Sequence, residues 1–366
     1  MKKIIVTLII AVQFAAVFAQ QTDSVATTKP APKLKLPKVK LYGFIRADFY
    51  YNSRQMEEGS DGFALFMPKS SAPDANGTDL NAKAMTGLTA TATRFGIDLE
   101  PFYLKLLRTT VSGRIETDFQ GFGSSVTMLR IRHAYINMAF KNVDLLIGQF
   151  WHPLYSEGVA PTALDLNGGH PYQPFGRHPQ AKLTWRPNNL KLFAAGAYQT
   201  QFVSTGVDAD GGSTRGLLHQ KFAHIPDMTA GIEYGKKTWK IGVMSEYKQI
   251  VPRIAANVAM KDDGGNIIVD GEGNTVLEKL AVNEKVESYA LSAYGQFTHS
   301  ALTLKAHAIY GQNLSDLSMI GGYAAVSGND KGERKYKPFN VASAWLTADY
   351  NITDNWLISA FGGYTQ

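Results

Sequence analysis

Val111, Gly113, Ile115, Thr117 and Phe119 alternate with Ser112, Arg114, Glu116, Asp118 and Gln120. Successive side chains of a strand point to opposite faces, so this segment reads as a strand with one lipid-compatible face and one face carrying three charges. A helix of period 3.6 would mix the two sets. The alternation recurs along the chain, with thirteen candidate strands at 41–51, 91–99, 110–120, 129–140, 144–151, 180–186, 190–199, 227–235, 238–248, 286–297, 302–311, 339–350 and 355–364. Most are near the ~9–11 residues that a tilted strand needs to cross a bilayer.

The connections have a rhythm of their own. Lys141-Asn142-Val143, Arg186-Pro187-Asn188-Asn189, Lys236-Lys237, Thr298-His299-Ser300-Ala301 and Thr353-Asp354-Asn355 are tight turns, and between them lie long polar segments at 52–90, 152–179, 200–226, 249–285 and 312–338. Short turns on one rim and long loops on the other are how outer-membrane barrels are built. A soluble β-sandwich gives no reason for such alternation.

The start of the chain agrees. Lys2 and Lys3, an apolar run from Ile4 to Phe18 and Val17-Phe18-Ala19 form a cleavable secretory signal over residues 1–19. No later stretch is apolar enough to span a bilayer as a helix, so either the mature protein is soluble beyond the inner membrane or it crosses a membrane as a closed barrel. Residues 20–40, with three prolines and no aromatic residue, read as a flexible periplasmic leader, and 41–366 as the barrel. The net charge of +6 resides entirely in the first forty residues, which hold seven lysines against Asp23. The neutral remainder gives no argument for nucleic-acid binding. The chain has no cysteine, so neither disulfides nor thiolate chemistry enter.

Four segments resemble the DcaP-like porins: Tyr42-Gly43-Phe44-Ile45-Arg46-Ala47-Asp48, Thr93-Arg94-Phe95-Gly96, Leu129-Arg130-Ile131-Arg132-His133-Ala134-Tyr135 and Leu146-Ile147-Gly148-Gln149-Phe150-Trp151. The resemblance implies a sixteen-stranded, homotrimeric outer-membrane barrel that takes up small, often anionic, organic solutes. The expectation is therefore an all-β, transmembrane antiparallel up-and-down barrel of a Gram-negative outer membrane. Thirteen strands are fewer than sixteen and an odd number, so either one strand is miscounted or the chain is short of its last strands, the latter being favoured. Partners would be small hydrophilic solutes, outer-membrane lipid and lipopolysaccharide.

A pore needs a wet lumen and a constriction rather than a reaction. Counting by parity, the inward charges include Arg46, Asp48, Arg94, Asp98, Arg114, Glu116, Asp118, Lys182 and Lys305. The expected field runs from an arginine cluster of Arg46, Arg94 and Arg114 to facing carboxylates. On the fourth strand Arg130 and Arg132 share a parity with Ala134, Ile136 and Met138, opposite to His133, Tyr135 and Asn137. A bulge, or exposure above the membrane, would reconcile this, and the two arginines rank below the other charges. Segment 152–179 is irregular and proline-rich, and its position suggests a loop folded into the bore, with Glu157, Asp165 and Arg177 at the constriction, the alternative being an extracellular loop that lies outside the pore.

Other chemistry finds little support. His152, His170 and His178 each precede a proline at irregular spacing, without a zinc-ligand pattern. Asp208-Ala209-Asp210-Gly211-Gly212 and Asp262-Asp263-Gly264-Gly265-Asn266 lack the full spacing of a calcium loop and read as turns, and 266–277 reads as a hairpin within an external loop. No serine and histidine form a recognisable hydrolase pattern, so neither a catalytic site nor a cofactor is expected. The competing reading is a surface binding protein or adhesin whose barrel only anchors its long loops.

Overall fold

A computed structural model of the chain describes residues 37–59, 64–121, 128–162, 169–329 and 331–366. The expected signal, the leader up to residue 36 and Asp165 lie outside them.

Thirteen strands form one antiparallel meander: β1 (Val39–Phe44), β2 (Arg94–Leu104), β3 (Thr109–Gly121), β4 (Met128–Ala139), β5 (Val143–Trp151), β6 (Arg177–Trp185), β7 (Leu190–Ala197), β8 (Asp227–Lys236), β9 (Trp239–Ile250), β10 (Val286–His299), β11 (Leu302–Gln312), β12 (Asn340–Asn351) and β13 (Leu357–Thr365). Their order in the sheet is their order in the chain, with β1 and β13 at the two edges. Each corresponds to one expected strand. Turns of two to five residues join them on one rim, at 105–108, 140–142, 186–189, 237–238, 300–301 and 352–356. Connections at 45–93, 152–176, 198–226, 251–285 and 313–339 lie on the other.

Several boundaries move for local reasons. The expected strand 41–51 is two elements. β1 stops at Phe44 because its partner strand begins only at Arg94, the residue before it, Thr93, being turned back onto Ala90. The chain resumes as Asp48–Asn52, paired with Met85–Thr89 in a separate ribbon. β1 also begins at Val39, two residues before the expected boundary. β2 runs past Pro101 to Leu104, with an irregularity between Leu99 and Phe102 that accommodates the residue lacking an N–H. Within the long connections, Thr205–Val207, Ser213–Arg215, Tyr323–Gly328 and Arg334–Pro338 make a four-stranded sheet. Ala255–Ala259 pairs with Leu277–Ala281, and Val269 bridges Thr275 around Asp270-Gly271-Glu272-Gly273-Asn274, so the 266–277 region is a hairpin.

The sheet is rolled, and its two faces differ. In β10, Ser288, Ala290, Ser292 and Tyr294 are buried while Tyr289, Leu291 and Ala293 are exposed. In β12, Val341, Ser343, Trp345, Thr347 and Asp349 are buried and the alternate residues are mostly exposed. Near the short-turn rim the exposed face carries Trp185, Tyr234, Phe297 and Tyr350, the aromatic belt that a membrane interface favours. The main apolar cluster lies on the concave side, formed by Leu154 and Val159 of the 152–176 connection, Leu314 and Leu317 of the 313–339 connection, and inner-face residues such as Phe193, Met244, Tyr294 and Trp345.

Candidate functional site: a lumen crossed by a loop

The 152–176 connection leaves β5 and turns inward. His152 caps a short 3-10 helix, Pro153–Tyr155, its Nδ1 accepting from the Leu154 N–H at 3.4 Å. Thr162 then donates to Asp349 of β12 at 2.7 Å and accepts from Lys305 of β11 at 2.8 Å. The returning limb is fastened as well. Trp345 Nε1 donates to Gln173 Oε1 at 2.6 Å, Gln173 Nε2 donates to the Tyr155 carbonyl at 2.6 Å, and the Phe175 N–H donates to the Leu317 carbonyl at 2.7 Å. In a flat sheet β5 and β12 would stand ~34 Å apart at ~4.8 Å per strand. One connection reaches both because the sheet curls around it. Its described ends are thus tied to the inner faces of β11 and β12.

A second inner layer braces it. Lys248 of β9 pairs with Asp316 of the 313–339 connection and lies 3.5 Å from Glu246. Glu246 in turn lies 3.5 Å from His152 Nε2. All four are buried, so the loop root is packed against charge as well as hydrocarbon.

The inner faces of β1–β4, with Arg177 of β6, carry a further set of charges, of which Arg94, Asp98, Arg114 and Arg130 are partly exposed and Glu116, Asp118, Arg132 and Arg177 are buried. Asp118 of β3 is fully buried and accepts from Arg130 Nε at 2.9 Å, Arg130 Nη2 at 2.6 Å and Arg132 Nη1 at 3.0 Å. Glu116 accepts from Arg132 Nε at 2.7 Å and from the Tyr42 hydroxyl at 3.0 Å. Tyr42 reaches across β2 because Gly96 stands opposite it, and a Cβ there would strike the ring. Arg94 lies over the Phe44 ring at 5.3 Å and within the field of Arg130, Arg132, Glu116 and Asp118. Arg177 stacks on Trp151 at 3.7 Å, donates from Nη1 to Gln201 Oε1 at 3.3 Å, and is likewise within the field of Arg94, Arg130 and Arg132. Four guanidiniums therefore face two carboxylates. Arg94 Nε and Arg177 Nε have no acceptor among the described residues.

The other sequence candidates divide. Asp98 and Arg114 share the β1–β4 wall as a two-pronged pair at 2.6 and 3.0 Å. Lys182 lies over the Phe150 ring at 5.0 Å on the inner face of β6. Lys305 pairs with Asp349 at 3.0 Å. Glu157 is exposed on the inward loop, its charge bearing on Lys182 and Tyr135. Arg177 opens β6 rather than lying in the loop.

The expected cluster of Arg46, Arg94 and Arg114 does not form. Arg46 and Asp48 follow the end of β1 and pair with each other at 2.7 Å, and Arg114 is engaged by Asp98. Arg94 instead joins Arg130 and Arg132, the two ranked lowest. The cause is a bulge at Arg132: Glu116 pairs with His133 and Thr117 with Ile131, so one residue of β4 is skipped. Arg130, Arg132, His133 and Tyr135 can then all turn inward. The reversal of parity between Arg132 and His133 was the available signal.

Two histidines of the inward loop lie outside the strands, and burial pushes both down: His152 well below 6.5, and His170 to about 4, with a backbone hydrogen bond at Ser318 acting the other way. Between those limits the folded loop holds them neutral while the released loop would protonate them. The stability of the inward position is complete above pH 6.5 and is lost as pH falls towards 4. Single-channel records at stepped pH should show current fluctuations growing over that window, and His152→Gln with His170→Gln should flatten the response. Fluctuations that do not depend on pH would contradict the assignment.

A scan against protein-family models gives no match, and neither does a search of curated proteins. Solved structures do match. The outer membrane channel DcaP of Acinetobacter baumannii superposes with a TM-score of 0.55 at 16% identity over 90% of this chain and 79% of that one. OmpF of Salmonella typhi, solved with daunomycin, matches at a TM-score of 0.44 and 12% identity over 89% of this chain and 79% of that one. The likeness to DcaP, together with the thirteen-stranded meander and the apolar outer face, shows the fold: the chain is built as an antiparallel, up-and-down transmembrane β-barrel.

Proposed function

We propose that the chain is an outer-membrane porin through which small hydrophilic solutes diffuse, with a preference for anions. The observation that carries this reading is the inward 152–176 loop, fastened to β11 and β12 and leaving Arg94, Asp98, Arg114 and Arg130 partly exposed on the wall of β1–β4. A barrel serving only as an anchor has no need of a loop that narrows a charged bore. The excess of Arg94, Arg130, Arg132 and Arg177 over Glu116 and Asp118 sets the sign. Fixed positive charge lowers the energy of an anion in a narrow, partly desolvated passage and raises that of a cation. The homotrimer implied by the sequence resemblance belongs to the same reading, and crosslinking in native membranes tests it.

Planar-bilayer recording under a potassium chloride gradient tests the main claim. The expected result is discrete conductance steps with a reversal potential displaced towards that of chloride. Silence from a folded, heat-modifiable barrel would reject the pore, and a displacement towards potassium would reject the arginine wall as its selectivity element.

A further inference from the structure

The turns and strand ends of the short-turn rim carry Lys105, Arg108, Lys141, Arg186, Lys236 and Lys237, while the turns themselves hold one acid, Asp354. Arg186 is engaged by Asp144. Among the described residues the other five form no ion pair, and all are exposed. The long-loop rim carries both paired and unpaired cations. There Arg54 pairs with Asp79, Arg253 with Glu284, Lys285 with Glu287 and Arg334 with Asp208.

Along β8 from Lys236, deeper in the outer face, the surface is indented. Register places Leu183, Ala194, Ala230, Ser245 and Leu291 side by side across β6–β10, so three small side chains lie between two leucines. The row nearer the rim is Trp185, Leu192, Ile232 and Val243. The resulting groove has a volume of ≈ 670 Å³ and is walled mainly by hydrocarbon. Ala230 is six residues from Lys236 along β8, and at ~3.3 Å per residue the separation is ~20 Å. With a strand tilt of ~45° this corresponds to ~14 Å of depth, close to half of the ~30 Å hydrocarbon core and so to one leaflet.

We propose that this face binds an anionic phospholipid, with its phosphate at Lys236 and Lys237 and an acyl chain in the groove over Ala194, Ala230 and Ser245. Charge complementarity selects the headgroup, because exposed cations without acidic neighbours gain from a net-negative lipid what a zwitterionic one does not offer. The groove selects a molecule that joins an anion to hydrocarbon one leaflet long, which a free phosphate or a soluble acidic partner is not. The inference rests on the membrane-barrel part of the reading above and is independent of whether the lumen conducts.

The test uses the full chain in nanodiscs of phosphatidylcholine with a minor fraction of phosphatidylglycerol, with retained lipid identified by native mass spectrometry and conductance recorded in parallel. Phosphatidylglycerol should be retained over phosphatidylcholine. Lys236→Gln with Lys237→Gln should lower that retention about 30-fold, from ~1 kcal/mol per cation near an anionic surface at 1.36 kcal/mol per factor of ten. Ala230→Phe, or Ser245→Leu should the first fail to fold, fills the groove and should lower retention with the rim charge intact. Equal retention of the two lipids by the native chain would overturn the proposal, as would retention that survives filling of the groove. Selective retention by a chain that does not conduct would uphold the lipid site and reject the pore.

Discussion

Leu154→Ala is expected to release the constriction loop. Leu154 is fully buried among inner-face residues of β7 and β9–β12 and is the apolar anchor at the root of the inward segment. Truncation removes its packing and leaves a cavity, a loss of about 2–5 kcal/mol where the surroundings cannot collapse. They cannot do so here, because Phe193, Met244 and Trp345 belong to strands held in register by the ladder. The loss should fall on the loop rather than on the barrel, whose hydrogen bonds remain intact. Single-channel conductance should rise and become noisy, and the loop should become accessible to protease, with the heat-modifiable band unchanged. A quiet channel of native conductance would show that the polar ties from Thr162 to Asp349 and from Trp345 to Gln173 hold the loop unaided.

Asp118→Asn should separate stability from selectivity. Asp118 is the buried acceptor shared by Arg130 and Arg132, and its Oδ1 also lies 3.3 Å from the Gln120 N–H. Asparagine keeps the shape and removes the charge, leaving Arg130 with Gln120 Oε1 and Arg132 with Glu116. Breaking one side of a buried pair costs about 3–5 kcal/mol, and the lower end applies here because Arg130 retains some contact with the bore. The variant should unfold at lower urea in detergent while its reversal potential moves further towards that of chloride, since the wall gains one net positive charge. A variant that is destabilised with unchanged selectivity would place the four arginines outside the permeation path. Selectivity that shifts towards cations would contradict the proposed field.

The strands were legible because their signals are local. Period-two alternation depends only on which residues are neighbours in the chain, and turns such as Arg186-Pro187-Asn188-Asn189 declare themselves by the backbone angles they favour. The place where parity failed was informative too, since the reversal after Arg132 marked a bulge. It could not say which way the arginines turned. A bulge and an exposed rim produce the same string of letters, and only pairing with β3 distinguishes them.

The sequence by itself determined the number and order of the strands, the alternation of five tight turns with five long connections, and the presence of a long irregular segment after Trp151. Only the tertiary structure decided which charges meet. Arg94 joins Arg130 and Arg132 instead of Arg46 because β1 ends at Phe44, and Thr162 finds Asp349 because curvature brings β12 to a loop rooted on β5. Partners 187 residues apart in the chain leave no local trace, since their meeting depends on register, bulges and the roll of a whole sheet.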